Sequence, residues 1–170
     1  MRDLLAGAGV TEMTPGWEEA AARAYERLAP PDLSAHVAPG VVELLEALAA
    51  RPDAFRLSLV TGNLEPVARV KLERAGVGHY FAPGQGGFAS DSEDRGELPA
   101  IARARASDPP WPRERTVVIG DTPHDIACAR VDGVKVAAVA TGPYAIEALA
   151  DADAVVDDAR ALLPVLNDWL

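Results

Sequence analysis

Two short stretches carry residues whose types and spacing suit chemistry on a charged, oxygen-rich ligand. The first is Val117-Val118-Ile119-Gly120-Asp121-Thr122-Pro123-His124-Asp125-Ile126. An apolar run delivers Asp121 at its tip, Gly120 lets the backbone approach closely, and Asp125 follows on the first turn of the next helix. Two carboxylates converging on one loop suit a hard divalent cation such as Mg²⁺, which takes oxygen ligands. The second stretch is Leu57-Ser58-Leu59-Val60-Thr61-Gly62-Asn63. Here an apolar run ends in a hydroxyl, and the free N–H groups of Gly62, Asn63 and the helix start make a cradle for phosphate. Each stretch alone also has a plainer reading. Acids are favoured at any helix N-terminus by the dipole, and a hydroxyl at a strand-to-helix junction is an ordinary cap.

Such residues need strands that end at Thr61 and Asp121, and the pattern supplies them. Short apolar runs at 56–60, 116–119, 134–139 and 154–156 read as strands. Between them, periodic segments at 41–50, 65–75, 95–106, 125–131, 144–149 and 158–166 read as helices, the last kinked by Pro164. In the first of these, Val41, Leu44, Leu45 and Leu48 form the apolar stripe. Upstream, a helical fragment is expected over 3–9. A further helix is opened by Thr14 and Pro15, lays Trp17, Ala20, Ala21, Ala24 and Leu28 on one face, and ends at Pro30-Pro31. Helix–strand alternation with apolar strands reads as a parallel sheet covered on both faces, with ligands beyond the carboxyl ends of its strands.

Taken together and in this order, the two stretches resemble the second and fourth motifs of the haloacid dehalogenase superfamily, in particular its phosphoglycolate-phosphatase-like branch. The resemblance runs from about Pro39 to the end and includes Val139-Ala140-Thr141-Gly142-Pro143-Tyr144 and Ala152-Asp153-Ala154-Val155-Val156-Asp157-Asp158. It implies an α/β, three-layer Rossmann-like parallel sheet with a partial helical cap at the N-terminus: residues 1–38 the C-terminal part of the cap, residues 39–170 the core. It also implies a Mg²⁺-dependent phosphatase that acts on small phosphorylated metabolites through an aspartyl-phosphate. Thr61, with Gly62 and Asn63, matches the phosphoryl-binding position, and Asp121 and Asp125 match the metal acids. The family's third motif supplies a cation. Its Lys-Pro signature is absent, and Arg95 is the only cation between Gly87 and Leu98. Lys71 is the alternative, expected to lie too far along its helix.

The family's first motif, an Asp-x-Asp-Gly-Thr run that ends the first strand and carries the nucleophile, is not found in the chain. Asp151 and Asp153 precede a strand instead of ending one, and Asp157-Asp158 caps the last helix more simply. Met1 is accordingly expected to fall inside the cap. On this reading the chain holds the electrostatic half of the machine without its covalent half, and is inactive alone. The alternatives are a non-catalytic phosphate-binding or regulatory module, and a fragment without independent function. The family's first strand lies between those ending at Thr61 and Asp121, so a gap or a direct pairing is expected there.

Composition narrows the partners. The 170 residues are nearly half apolar and carry a formal charge of −10, which disfavours nucleic acid. No apolar run reaches membrane-spanning length. Cys128 is the only cysteine, so no internal disulfide forms and a cytoplasmic location is expected; on its helix it reads as a small core residue. His36, His79 and His124 lack metal-ligand spacing. Gly84-Gln85-Gly86-Gly87 lacks the Lys-Ser/Thr of a phosphate loop and reads as a turn.

Overall fold

The computed structural model of the chain describes residues 16–170. The expected fragment at 3–9 and the Thr14-Pro15 helix start lie outside the described residues. In chain order the elements are α1 (Trp17–Leu28), α2 (Val41–Ala49), β1 (Val60–Thr61), α3 (Glu65–Arg74), β2 (Gly87–Phe88), α4 (Leu98–Ala106), β3 (Val117–Gly120), α5 (Pro123–Asp132), β4 (Lys135–Val139), β5 (Ala154–Val156) and α6 (Leu162–Asp168). This is the expected α/β alternation, and every strand pair is parallel.

The centre of the core is β4. Val136 and Ala138 point to one face and Ala137 and Val139 to the other, and all four are buried. On the first face they meet Ile126, Cys128 and Ala129 of α5. On the second they meet Leu44 and Leu48 of α2 and Leu162 and Leu166 of α6. Apolar residues on both faces mark a parallel sheet sandwiched between helices. The ladder runs β3-β4-β5, with Val118 opposite Val136 and Ala138 opposite Val155.

The other two strands form a separate sheet, with Val60 opposite Gly87 and Thr61 opposite Phe88. No ladder joins β1 to β3 among the described residues. Of the two outcomes expected there, a gap is the one seen among the described residues. Between the strands lies a cavity of about 780 Å³, lined by Leu57, Leu59, Val60, Val117 and Ile119 and by the stripe of α2. Ile119 stays 41% exposed in a sheet whose other apolar residues are mostly covered.

Several local expectations are corrected. The strand expected over 56–60 pairs only at its end, because β2 offers just two residues to pair with. The helix expected over 144–149 is a single 3₁₀ turn at Ile146–Leu149. Pro164 does not kink the last helix: α6 starts at Leu162, so the missing N–H falls in the first turn, where no intrahelical partner exists. On α1 the buried residue is Ala22, and Leu28 is exposed. The C-terminal carbonyls of α1 are held by Arg74 of α3, which donates to Ala29 O at 3.0 Å and Glu26 O at 2.6 Å.

Candidate active site

The carboxyl ends of β1 and β3 bring the expected residues to the same end of the slot. Asp121 follows directly on β3, and Thr122 caps α5. The Thr122 hydroxyl donates to Asp125 Oδ2 at 2.8 Å and accepts from the Asp125 N–H at 3.3 Å, a reciprocal capping box. Asp125 Oδ2 accepts further bonds from the N–H groups of Asp121 at 3.2 Å and Thr122 at 3.1 Å. Asp125 is thus buried and organises the loop. Gly120 makes this possible, since a side chain there would collide with the Asp125 carboxylate.

Asp121 is different. Among the described residues its carboxylate accepts no side-chain or backbone hydrogen bond, and it remains half-buried at the strand tip. Gly142, just beyond β4, leaves room for it, because a side chain there would overlap Asp121 Oδ2. Hard oxygen donors with one carboxylate unengaged fit a divalent cation. Such a cation would meet Asp121 first, and would reach Asp125 Oδ1 only in exchange for that atom's bond to Arg95. No cluster of three or more metal-binding side chains occurs among the described residues.

Thr61 ends β1 with its hydroxyl held by a short relay. Thr61 Oγ1 accepts from Asn63 N at 3.1 Å and from Asn63 Nδ2 at 2.9 Å. Both lone pairs are then engaged, so the hydroxyl proton is free to point outward as a donor. Lys71 Nζ donates to Asn63 Oδ1 at 2.8 Å and lies over the Tyr25 ring at 5.3 Å. The expectation that Lys71 sits too far from the strand tips is therefore corrected. Helical side chains lean toward the N-terminus, and the long Lys stem spans the remaining distance back to the loop.

Arg95 joins the two loops. Its Nη2 donates to Asp125 Oδ1 in a short ion pair. Its Nη1 lies 3.5 Å from the place a Gly62 methyl would occupy. Its Nε is buried without a hydrogen-bond partner among the described residues, and its guanidinium lies beside the Cys128 sulfur. The guanidinium is thus engaged by Asp125 while the side chain stays partly exposed.

A haloacid dehalogenase-like hydrolase family model matches residues 8–130 of the chain. The chain belongs to this family. Within it, the chain is 36% identical over 152 residues to a phosphoglycolate phosphatase of Rhodospirillum rubrum, covering 88% of this chain and 59% of that relative. The chain thus spans a little under three-fifths of that relative's length. Over 103 residues it is 32% identical to the tyrosine-protein kinase PtkA of Mycobacterium tuberculosis, covering 61% of this chain and 34% of that one. In fold it is similar to the crystal structure of a hydrolase from Pseudomonas syringae. The TM-score there is 0.64 at 24% identity, over 98% of this chain and 75% of the other.

Other residues of this haloacid dehalogenase-like chain play structural parts. Cys128 is buried, its thiol donates to Asp125 O at 3.2 Å, and burial pushes its pKa up, away from a reactive thiolate. Asp153 accepts from Val136 N and Arg130 Nη1. Asp158 accepts from Arg160 N. Asp157 follows β5, two ladder steps from β3 and so roughly 9–10 Å to the side. Gly84–Gly87 is a turn leading into β2. The sequence reading missed Thr122 as the organiser of Asp125 and Gly142 as the space for Asp121. Their signals were a Thr three residues before Asp125, and a Gly just past an apolar strand.

Proposed function

We propose that Thr61, Gly62, Asn63, Arg95, Asp121 and Asp125 form the phosphoryl- and Mg²⁺-binding part of a phosphatase for small phosphate monoesters. The observation that supports this most is Arg95, which pairs with Asp125 and lies beside Gly62 of the Thr61 loop. A guanidinium matches phosphate oxygens in a fork, and here it stands between a hydroxyl donor and an acidic loop. In this reading Thr61 donates its free proton to one phosphoryl oxygen, and the Gly62 and Asn63 loop surrounds a second. Arg95 neutralises a third, Lys71 tightens the relay behind Thr61, and Asp121 and Asp125 hold Mg²⁺. When bound, Mg²⁺ would stabilise charge on the phosphoryl oxygens.

The proposed reaction needs an aspartate to attack phosphorus and water to release phosphate from the aspartyl-phosphate. Among the described residues the acids at the tips bordering the slot are Asp121 and Asp125, both assigned to metal. The chain alone is therefore proposed to be inactive, with residues 1–38 as part of a helical cap and 39–170 as the core. The same observation favours a second reading, a module that binds phosphorylated ligands without turnover. No described helix is long and apolar enough to cross a membrane, and the lone Cys128 fits a reducing cytosol.

Hydrolysis of p-nitrophenyl phosphate by the purified chain with Mg²⁺ is the test, and no turnover above background is expected. Robust turnover lost in Asp157→Asn would show that the nucleophile was misplaced. Turnover insensitive to Thr61→Ala and Arg95→Ala would remove the site assignment.

A further inference from the structure

Thr61, Asn63, Lys71 and Tyr25 form a chain of contacts that runs from the tip of β1 to α1. Thr61 Oγ1 accepts from Asn63 Nδ2 at 2.9 Å, Asn63 Oδ1 accepts from Lys71 Nζ at 2.8 Å, and that ammonium lies over the Tyr25 ring at 5.3 Å. The chain has a direction. An ammonium has donors and no acceptor, so only the carbonyl end of the Asn63 carboxamide can face it. The amino end must then face Thr61. With the Asn63 N–H also on Oγ1, at 3.1 Å, the hydroxyl keeps no lone pair for the loop, and its proton turns outward. Without Lys71 the carboxamide is free to turn over. Its oxygen would then accept the Thr61 proton, and the hydroxyl would be spent inside the loop.

The surroundings of Lys71 suit this task better than charge pairing. Among the described residues it forms no ion pair, whereas Arg69 on the same helix binds Glu65. Its side chain is half-buried, and Tyr25 meets it from α1. Tyr25 is itself held in place. Arg74, one turn beyond Lys71 on α3, donates to Glu26 O, Ala29 O and Pro30 O at the end of α1. The helix α1 is thus tied through α3 to the hydroxyl at the β1 tip.

We propose that Lys71, held by Tyr25, is a positioning residue that fixes the Thr61 hydroxyl as a donor toward the ligand. A hydroxyl fixed in this sense takes an unprotonated oxygen of a tetrahedral oxyanion. The inference deepens the phosphoryl-binding reading of Thr61 and rests on it. Lys71 acts through a neutral amide, and polarisation along the chain strengthens the final donor.

The test is a double-mutant cycle on the full chain, read by calorimetric titration with inorganic phosphate. Lys71→Met should weaken phosphate binding about fivefold, the worth of one ordinary hydrogen bond. The same change should cost less than about twofold when Asn63→Ala is already present, because a residue that acts through Asn63 then has nothing to act on. Equal losses in both backgrounds would mean that the Lys71 charge acts on phosphate directly, and would overturn the proposal. So would the absence of any loss in the parent. A second readout needs no ligand: the NMR signals of the Asn63 side-chain amide should shift, and its protons exchange faster with water, in Lys71→Met and in Tyr25→Leu. Tyr25→Phe keeps the ring and should keep the parent's signals. Tyr25→Leu also serves as the second variant should Lys71→Met not fold. Asn63 amide signals unchanged in Lys71→Met and Tyr25→Leu would overturn the proposal even if phosphate binds. A parent that binds no phosphate would instead overturn the phosphoryl-binding reading, and the amide signals would still decide the relay.

Discussion

Replacing Arg95 by Met and Asp125 by Asn should move phosphate affinity in opposite directions when Mg²⁺ is absent. Arg95 Nη2 is engaged by Asp125 Oδ1, so an incoming phosphate competes with that carboxylate for the guanidinium. A hydrogen bond to a charged group contributes about 1.5–3 kcal/mol, or roughly tenfold to 150-fold in affinity. Arg95 is 38% exposed in its side chain, and screening places the loss in Arg95→Met at the lower end, about tenfold. Asp125→Asn removes the competing charge while keeping an oxygen for Thr122, and should strengthen phosphate binding up to about fivefold, an allowance of ~1 kcal/mol for a partly exposed pair. Folding must be read in parallel. Arg95→Met strips the buried Asp125 Oδ1 of its donor, which costs about 1–3 kcal/mol, a drop of roughly 2–12 °C in Tm for a chain of this size. Calorimetric titration with inorganic phosphate, beside a melt of each variant, separates the two effects. Equal phosphate affinity in the parent and a folded Arg95→Met would refute the bridging role. Weakening by both substitutions would refute the competition.

Three further outcomes follow from the geometry. Asp121→Ala should abolish calorimetric Mg²⁺ binding, and equal affinity in both proteins would remove the metal assignment. Gly142→Ala should weaken Mg²⁺ binding by displacing Asp121 while barely changing Tm, because Gly142 itself is exposed; unchanged affinity would show that the carboxylate simply moves aside. Asp132→Ala should cost about 3–5 kcal/mol, since it leaves Arg103 buried without its partner. Burial pushes the Asp132 carboxyl up, but the hydrogen bonds and charge of Arg103 and Arg113 outweigh this and hold it below the usual range. Its stabilisation is then complete above the unfolded value of about 3.9 and fades as pH falls through the lower folded value. Urea midpoints of the parent should therefore decline more steeply below about pH 4 than those of the variant; parallel declines would contradict this.

What the sequence made legible follows physical rules of short range. The alternation of Val136 to Val139, the Leu44, Leu45 and Leu48 stripe and the tips at Thr61 and Asp121 are local patterns, and they located the sheet and the loops correctly. The misses came from tertiary partners. Residues 56–59 look as strand-like as any segment of the chain, yet a strand needs an edge to pair with, and β2 provides only Gly87 and Phe88. Lys71 was misplaced because counting residues along a helix ignores the lean and reach of its side chain. Arg95 could be singled out as the lone cation of its segment, but its engagement with Asp125 depends on α5 packing beside the 3₁₀ turn at Arg95–Glu97.

The open slot raises the question of what holds the two half-sheets together, since no ladder among the described residues does so. Two ion pairs supply much of the answer. Arg103 on α4, on the β2 side, forms a bidentate pair with Asp132 at the end of α5, on the β3 side, at 2.7 and 2.8 Å. Its Nη1 also ties down Trp111 O at 2.8 Å. Arg95, just before α4, reaches Asp125 at the start of the same helix. The acids lie seven residues apart, two turns along one face of α5, and the arginines are spaced almost identically along the neighbouring segment. Two clamps in register fix α4 against α5, and so β2 and β1 against β3, without any backbone contact across the slot. Side-chain clamps of this kind set a separation with no ladder between β1 and β3 among the described residues. One of the clamps is also the Arg95–Asp125 pair of the candidate site. A ligand that draws Arg95 away from Asp125 would therefore loosen the slot at its carboxyl end.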